Sequence, residues 1–316
     1  MGSGFARVPT DRPTADVSVV IPVYNHDRFV GAAIESLFSQ SLRPREILCI
    51  DDGSTDCSAR VLAAAANKYP SVRFWSRPNQ GAQRTLNEGI REARGHYLAI
   101  LNSDDLYHPE RLLRCLAVLE GEPNTAMVAT GISFIDEYGN AIRYPWYEDV
   151  RAFYEEVGDL GLALVNGNFL MTTSNIVARR AVFEEVGGFD DLRYAHDLDF
   201  FLRLLAHGKQ LVLLRRPLLT YRVHAGNTIS EAPPSVRCET AVVAAFFAQR
   251  LASAHGAAGR GPEYLSRLLA VADSQHLTRL VALTLLHARG TGLGAHSPGA
   301  CLVDPGFRSA LREIAE

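Results

Sequence analysis

A chain of 316 residues that is 47% hydrophobic and 21% charged can bury one large core with an appendage, or two ordinary cores, and this excludes a disordered protein. A formal net charge of −3 with no clustered basic excess excludes dependence on nucleic-acid phosphates. Five cysteines at irregular spacing, without a C-x-x-C, exclude a thiolate zinc site and point to a reducing compartment.

Residues 1–16 hold Gly, Pro, Thr, Asp and Arg but no apolar stretch of the signal-peptide kind, and read as a flexible tail. No apolar run reaches the ~18 residues of a transmembrane helix. The expectation is a cytoplasmic protein, with peripheral contact at the inner face of the membrane left open. Residues 17–23 are a β-branched apolar run, as a buried parallel strand requires. Residues 29–40 place Val30, Ile34, Leu37 and Phe38 on one helical face. A strand at 46–50 ends on Asp51, Asp52, Gly53 and Ser54, and Asp56 can cap a helix reaching residue 67. A strand at 72–75, a helix at 82–94 stopped by Gly95, and a strand at 97–101 lead to Asn102, Ser103, Asp104 and Asp105. Pro109 suits the first turn of a helix to residue 119. The pattern then predicts strands at 127–134, 172–178 and 211–214, and a helix at 198–207. From residue 233 it is helical, at 240–251, 264–272 and 276–287, with a Gly- and Pro-rich loop over 290–305.

Strands alternating with helices at this spacing imply crossovers and a parallel sheet, whose ligands bind beyond the carboxyl ends of the strands. Asp51-Asp52 and Asp104-Asp105 both follow strand ends, so they share one rim. Adjacent carboxylates are tolerable in solvent, as a helix-capping loop, or where a divalent cation neutralises them. Asp51-Asp52 reads equally as a nucleotide-recognition turn or another helix cap.

The runs VSVVIPVYNHDRFVGAAIESLFSQSL, IDDGSTD, NQGAQRTLNEGIREARGHYLAILNSDD, GGFDDLRYAHDLDFFLRL and YRVH resemble family 2 glycosyltransferases of the GT-A fold, from Val17 to His224. The resemblance implies an α/β fold with a mixed, mainly parallel sheet. It implies a sugar moved from a nucleoside-diphosphate donor, UDP or dTDP first, to an acceptor hydroxyl. Pro22, Val23, Tyr24, Asn25 and Asp52 would line the nucleoside pocket, with Gly81, Arg84, Ser103 and Asp104 also on the donor side. Asp105 would ligate Mn²⁺ or Mg²⁺, and His224 falls where many members place a further ligand. Asp197 would be the general base of an inverting displacement; by itself it reads equally as a helix N-terminal acid favoured by the dipole.

The chain departs from the family pattern at three places. His196 stands where Glu is common, Leu86 where Arg often precedes Asn87, and Asn102 opens the metal motif in place of Asp. His196 would tune the base, touch the acceptor or lie on the surface. Aromatics between 134 and 173, Trp146 and Tyr147 foremost, would stack on an acceptor sugar or fill a core. The absence of a Q-x-x-R-W segment favours transfer of one sugar per event. The expected division is 17–105 for nucleotide, 106–230 for acceptor and 231–316 as a helical C-terminal region. The apolar run 242–248 serves packing or a homodimer contact. The competing expectations are an inactive nucleotide-sugar-binding protein and a nucleotidyltransferase. The latter is disfavoured because no Gly-rich basic loop stands at Ile21–Asn25.

Overall fold

The computed structural model describes residues 12–228, 231–253, 261–292 and 297–316. The chain divides into two compact units. The first takes the described residues up to Ala141 together with Thr173–Val182 and Val212–Arg222. It holds a nine-stranded sheet of β1 (Thr14–Val23), β2 (Arg43–Asp51), β3 (Val72–Ser76), β4 (Tyr97–Ile100), β5 (Leu106–Tyr107), β6 (Thr125–Ile135), β7 (Ala141–Ile142), β8 (Val177–Arg179) and β9 (Gln210–Arg222). The order is β3-β2-β1-β4-β8-β6-β9-β5, with β7 on β6. The strands β3, β2, β1 and β4 run parallel, and β8 joins β4 antiparallel. Val17 and Val19–Ile21 are fully buried, as a strand covered on both faces demands.

Helices α1 (Val30–Phe38), α2 (Ser58–Lys68), α3 (Ala82–Glu92) and α4 (Arg111–Gly121) connect the strands. Gly89 lets α3 lie close on the sheet: a Cβ there would stand 2.3 Å from a Val20 methyl. Each expected element of residues 17–119 is present within a few residues. β1 begins at Thr14, upstream of residue 17, and residues 1–11 of the expected tail lie outside the described residues.

The second unit takes Ile142–Thr172, Phe183–Leu211 and the described residues from Val223 onward. It contains α5 (Pro145–Val157), α6 (Leu160–Asn166), α8 (His196–Ala206), α9 (Pro233–Ser253), α10 (Pro262–Ser274), α11 (Thr278–Thr291), α12 (Pro298–Cys301) and α13 (Pro305–Ala315); α7 (Val182–Glu185) opens at its boundary. Residues 241–247 of α9 are all buried, which makes α9 the centre of this unit, packed on α8, α10, α11, α12 and α13. The apolar run assigned to packing or a dimer thus serves packing.

The division differs from the expected one, because the C-terminal helices share one core with α5, α6 and α8. The loop expected over 290–305 is also interrupted. Ser297 Oγ accepts from Ala300 N and Pro298 sits in the first turn, so α12 forms; residues 293–296 lie outside the described residues. The strand expected at 172–178 instead starts with a 3-10 turn at Thr173–Asn175, and only Val177–Arg179 pairs. Among the described residues no helix is long and apolar enough to cross a membrane.

Candidate active site

In the first unit the chain reverses just beyond the carboxyl ends of β1, β2 and β4, and the polar residues gather there. Pro22 and Val23 end β1 opposite Ile50 and Asp51, and the Val23 carbonyl accepts from Asp52 N at 2.8 Å. Tyr24 follows, 48% exposed, with a ring free to stack on a planar ligand. Asn25 adopts φ +54°, a left-handed conformation that Asn tolerates better than most residues. Its N–H donates to Ser54 Oγ at 2.9 Å and its Oδ1 accepts from Thr55 N at 2.8 Å, which ties the two loops together.

The buried Asp52 carboxylate accepts from Gln80 N at 2.8 Å, from Gly81 N at 2.9 Å and from the Arg77 guanidinium. Arg77 also donates to Glu88 at 2.7 Å and Thr85 at 2.7 Å. Asp52 and Gly81 are therefore brought together, and Arg84 lies exposed on α3. Arg77 was not anticipated from the sequence. Its signal was its position directly past the end of β3, on the rim already identified.

Asn102, Ser103, Asp104 and Asp105 form a turn in which Asp105 N donates to the Asn102 carbonyl. Thr173 Oγ1 donates to Asn102 Oδ1 at 2.9 Å, and Asn102 N donates to Ser174 Oγ. Asp105 is fully buried; it accepts from Ser174 Oγ at 2.6 Å and from Arg222 N at 3.1 Å, one on each oxygen. Burial, and then the charge of Asp104, hold the Asp105 carboxyl well above the usual carboxylate range. Asp104 is 9% exposed, with a carboxylate oxygen within 4.8 Å of a His26 ring nitrogen; His26 Nδ1 lies 2.7 Å from Ser103 Oγ.

This donor set fits a divalent cation: adjacent carboxylates that repel each other, with an imidazole beside the more open one. The better-exposed carboxylate is Asp104, whereas the sequence pointed to Asp105 as the direct ligand. His26 and Arg222 were not anticipated, although both lie inside runs that carried the family resemblance. Arg222 donates from Nε to the Asp104 carbonyl at 3.0 Å and stands over the Phe29 ring.

In the second unit, Asp197 is the second residue of α8 and is buried. Its Oδ1 accepts from Leu198 N at 2.7 Å and its Oδ2 from Asn168 Nδ2 at 3.2 Å. Burial raises its pKa, against the lowering pull of His196 and of these two donors. His196 sits edge-on to Phe189, and its Nδ1 is buried without a hydrogen-bond partner, as is Asn168 Oδ1. Trp146 is 47% exposed on α5, and a Cβ on Gly167 would stand 3.2 Å from its Cζ2, so the indole rests on the backbone next to Asn168. Tyr147, expected beside Trp146 on the acceptor side, is 5% exposed and packs as core, which leaves its ring unable to stack on a ligand. His224 donates from its N–H to Asn227 Oδ1 at 2.7 Å.

The family model for glycosyl transferase family 2 matches residues 18–187, more than half of the 316. The chain is 36% identical over 192 residues to a chondroitin synthase of Escherichia coli, covering 60% of this chain and 26% of that one. It is 27% identical over 223 residues to an uncharacterised glycosyltransferase of Rickettsia typhi, covering 68% and 66%. The chain thus spans less than two thirds of the length of these relatives. TarS 1-349 of S. aureus, solved with UDP-GlcNAc, superposes with a TM-score of 0.64 at 15% identity, covering 95% of this chain and 90% of that one. The mannosyltransferase PcManGT of Pyrobaculum calidifontis, solved with GDP-Man and Mn²⁺, gives 0.56 at 19% identity, covering 98% and 88%. These likenesses establish a GT-A type fold, and the matched model shows that the chain belongs to glycosyl transferase family 2.

Proposed function

We propose that this protein moves a single sugar from a nucleoside-diphosphate donor, UDP or dTDP, to an acceptor hydroxyl with inversion at the anomeric carbon. The observation that carries the reading is the buried Asp104-Asp105 pair at the carboxyl end of β4, with His26 beside it. The first unit serves the donor. Tyr24, Asn25 and Asp52, with Pro22, Val23, Gly81, Arg84 and Ser103 around them, hold the nucleoside. Asp104, Asp105 and His26 hold Mn²⁺ or Mg²⁺, with His224 as a further ligand. A divalent cation bound there supplies the positive charge that stabilises the departing diphosphate. Arg77 keeps the Asp52 loop in shape.

The second unit serves the acceptor. An alcohol is a poor nucleophile, so Asp197 takes its proton as it attacks. The raised pKa of Asp197 brings its basicity closer to what that transfer needs. Asn168 orients the carboxylate, and Trp146 and His196 flank it as contacts for a saccharide or glycoconjugate. With the base on the acceptor side and no carboxylate assigned as nucleophile, displacement is direct. The five free cysteines support a cytoplasmic setting.

The test is release of nucleoside diphosphate from a panel of UDP-, dTDP- and GDP-sugars in Mn²⁺. Release by the wild type that falls in the Asp197→Asn variant supports the reading. Binding of a nucleotide sugar without turnover shifts the function to an inactive sensor.

A further inference from the structure

Glu239 is a buried carboxylate in the most apolar part of α9, beside Ala241–Phe247. Burying a carboxylate is costly unless donors satisfy it. Its donors are three consecutive backbone N–H groups: Arg193 N at 3.1 Å to Oε1, and Tyr194 N at 2.7 Å and Ala195 N at 2.9 Å to Oε2. Ala195 is the N-cap of α8 and Asp197 lies two residues on. No side chain of α8 itself makes a cap hydrogen bond at that position.

A second tie lies on the other side of Asp197. Asp199, fully buried, accepts from Arg250 Nη1 of α9 at 3.2 Å and from Arg203 Nη2 at 2.8 Å, and Arg203 donates on to the Val186 and Gly188 carbonyls. Glu239 and Arg250 are eleven residues apart on α9, about 16 Å of helix. They grip α8 at residues 195 and 199, bracketing residue 197.

We infer that Glu239, seconded by Arg250, is a positioning residue that holds Asp197 in place for proton transfer, so that α9 acts as a clamp for the catalytic helix. The inference rests on the role of Asp197 proposed above, and it lies in a region beyond the matched 18–187. All three partners of Glu239 are donors, so a carboxylate fits where an amide does not: the NH₂ of a glutamine would face one of the three N–H groups. Displacing a catalytic group by about 1 Å can cost about 10²-fold in rate.

The test is steady-state turnover of the nucleotide sugar that the full chain consumes fastest among UDP-, dTDP- and GDP-sugars. It compares wild type, Glu239→Ala, Asp197→Asn and the double variant. A clamp acting through Asp197 predicts that Glu239→Ala lowers kcat about tenfold or more, with donor KM within about twofold, and costs nothing further in the Asp197→Asn background. A normal kcat for Glu239→Ala, or an equal loss in both backgrounds, overturns the clamp while leaving Asp197 as base. Equal turnover of Asp197→Asn and wild type instead removes the base itself. If Glu239→Ala does not fold, Glu239→Gln carries the same comparison, with a smaller loss expected.

Discussion

Asp197 owes its character to its surroundings: a carboxyl sunk in the second unit, two donors on its oxygens and a pKa raised chiefly by burial from the usual 3.8. The folded carboxyl keeps its proton to higher pH than the unfolded one, so between the two values the folded state binds more protons and stability falls as pH rises. Asp197→Asn removes that penalty. Its melting temperature should exceed that of the wild type at neutral pH, and the difference should vanish once pH falls below the unfolded value. Equal melting temperatures at neutral pH would contradict the burial cost. The same variant should lose at least about 10²-fold in turnover, the low end for general base catalysis, as measured by diphosphate release. Trp146→Ala, which removes an exposed ring, should leave nucleotide binding unchanged and lower transfer to saccharide acceptors relative to donor hydrolysis. Unchanged partition between the two would take Trp146 off the acceptor side.

Arg77→Ala should strip the buried Asp52 and the partly exposed Glu88 of a largely buried partner, while Gln80 N and Gly81 N stay on Asp52, and cost about 1–3 kcal/mol. Denaturant unfolding checks it. Asp51-Asp52 and Asp104-Asp105 were legible in the sequence because each follows a strand end, and a strand end is readable from an apolar run. Arg77, His26 and Arg222 were not singled out because their partners, Asp52, Ser103 and Asp105, are distant in sequence and only the fold brings them near.

At the scale of elements, legibility follows periodicity. The first four strands and their helices are short apolar runs and one-faced helices, and the sequence pattern placed them. Helix α5 was not anticipated, although Pro145 opens it, Gly158 closes it in the left-handed conformation and Tyr147, Val150, Tyr154 and Val157 recur at helical spacing, because its aromatics were weighed one by one as acceptor contacts or core and not as one helical face. Strand β9 was read as four residues and runs for thirteen, since Arg215, Arg216 and Pro217 interrupt its apolar pattern. Within α8, Asp199 is the fully buried link between Arg203 and Arg250. Asp199→Ala leaves both guanidiniums without that carboxylate and should cost about 3–5 kcal/mol in denaturant unfolding. A loss under about 1 kcal/mol would mean the network adds nothing net.

At the scale of the whole molecule, the sequence separated a catalytic region from a C-terminal helical one at residue 230, whereas the structure builds one unit from α5, α6, α8 and the C-terminal helices. The residues that join them, Phe246 and Phe247 of α9 among others, carry no motif, and a one-chain pattern cannot say which helices share a core. A chain ending at residue 232 would lack α9 and its buried phenylalanines. It should expose α8 to proteolysis and lose turnover entirely. A truncated chain that stays resistant and active would restore the separate appendage.

The most direct measurement for the central claim is a thermal-shift screen of UDP, dTDP and GDP and their sugars, each in Mn²⁺ and in EDTA, on the wild type and on Asp105→Ala. Ligands that bind only the folded state raise the melting temperature according to ln(1 + [L]/Kd). A stabilisation by one nucleotide that appears in Mn²⁺, disappears in EDTA and is lost in Asp105→Ala is the predicted result. No stabilisation by any nucleotide, or one indifferent to metal and to Asp105, would contradict a metal-dependent donor site.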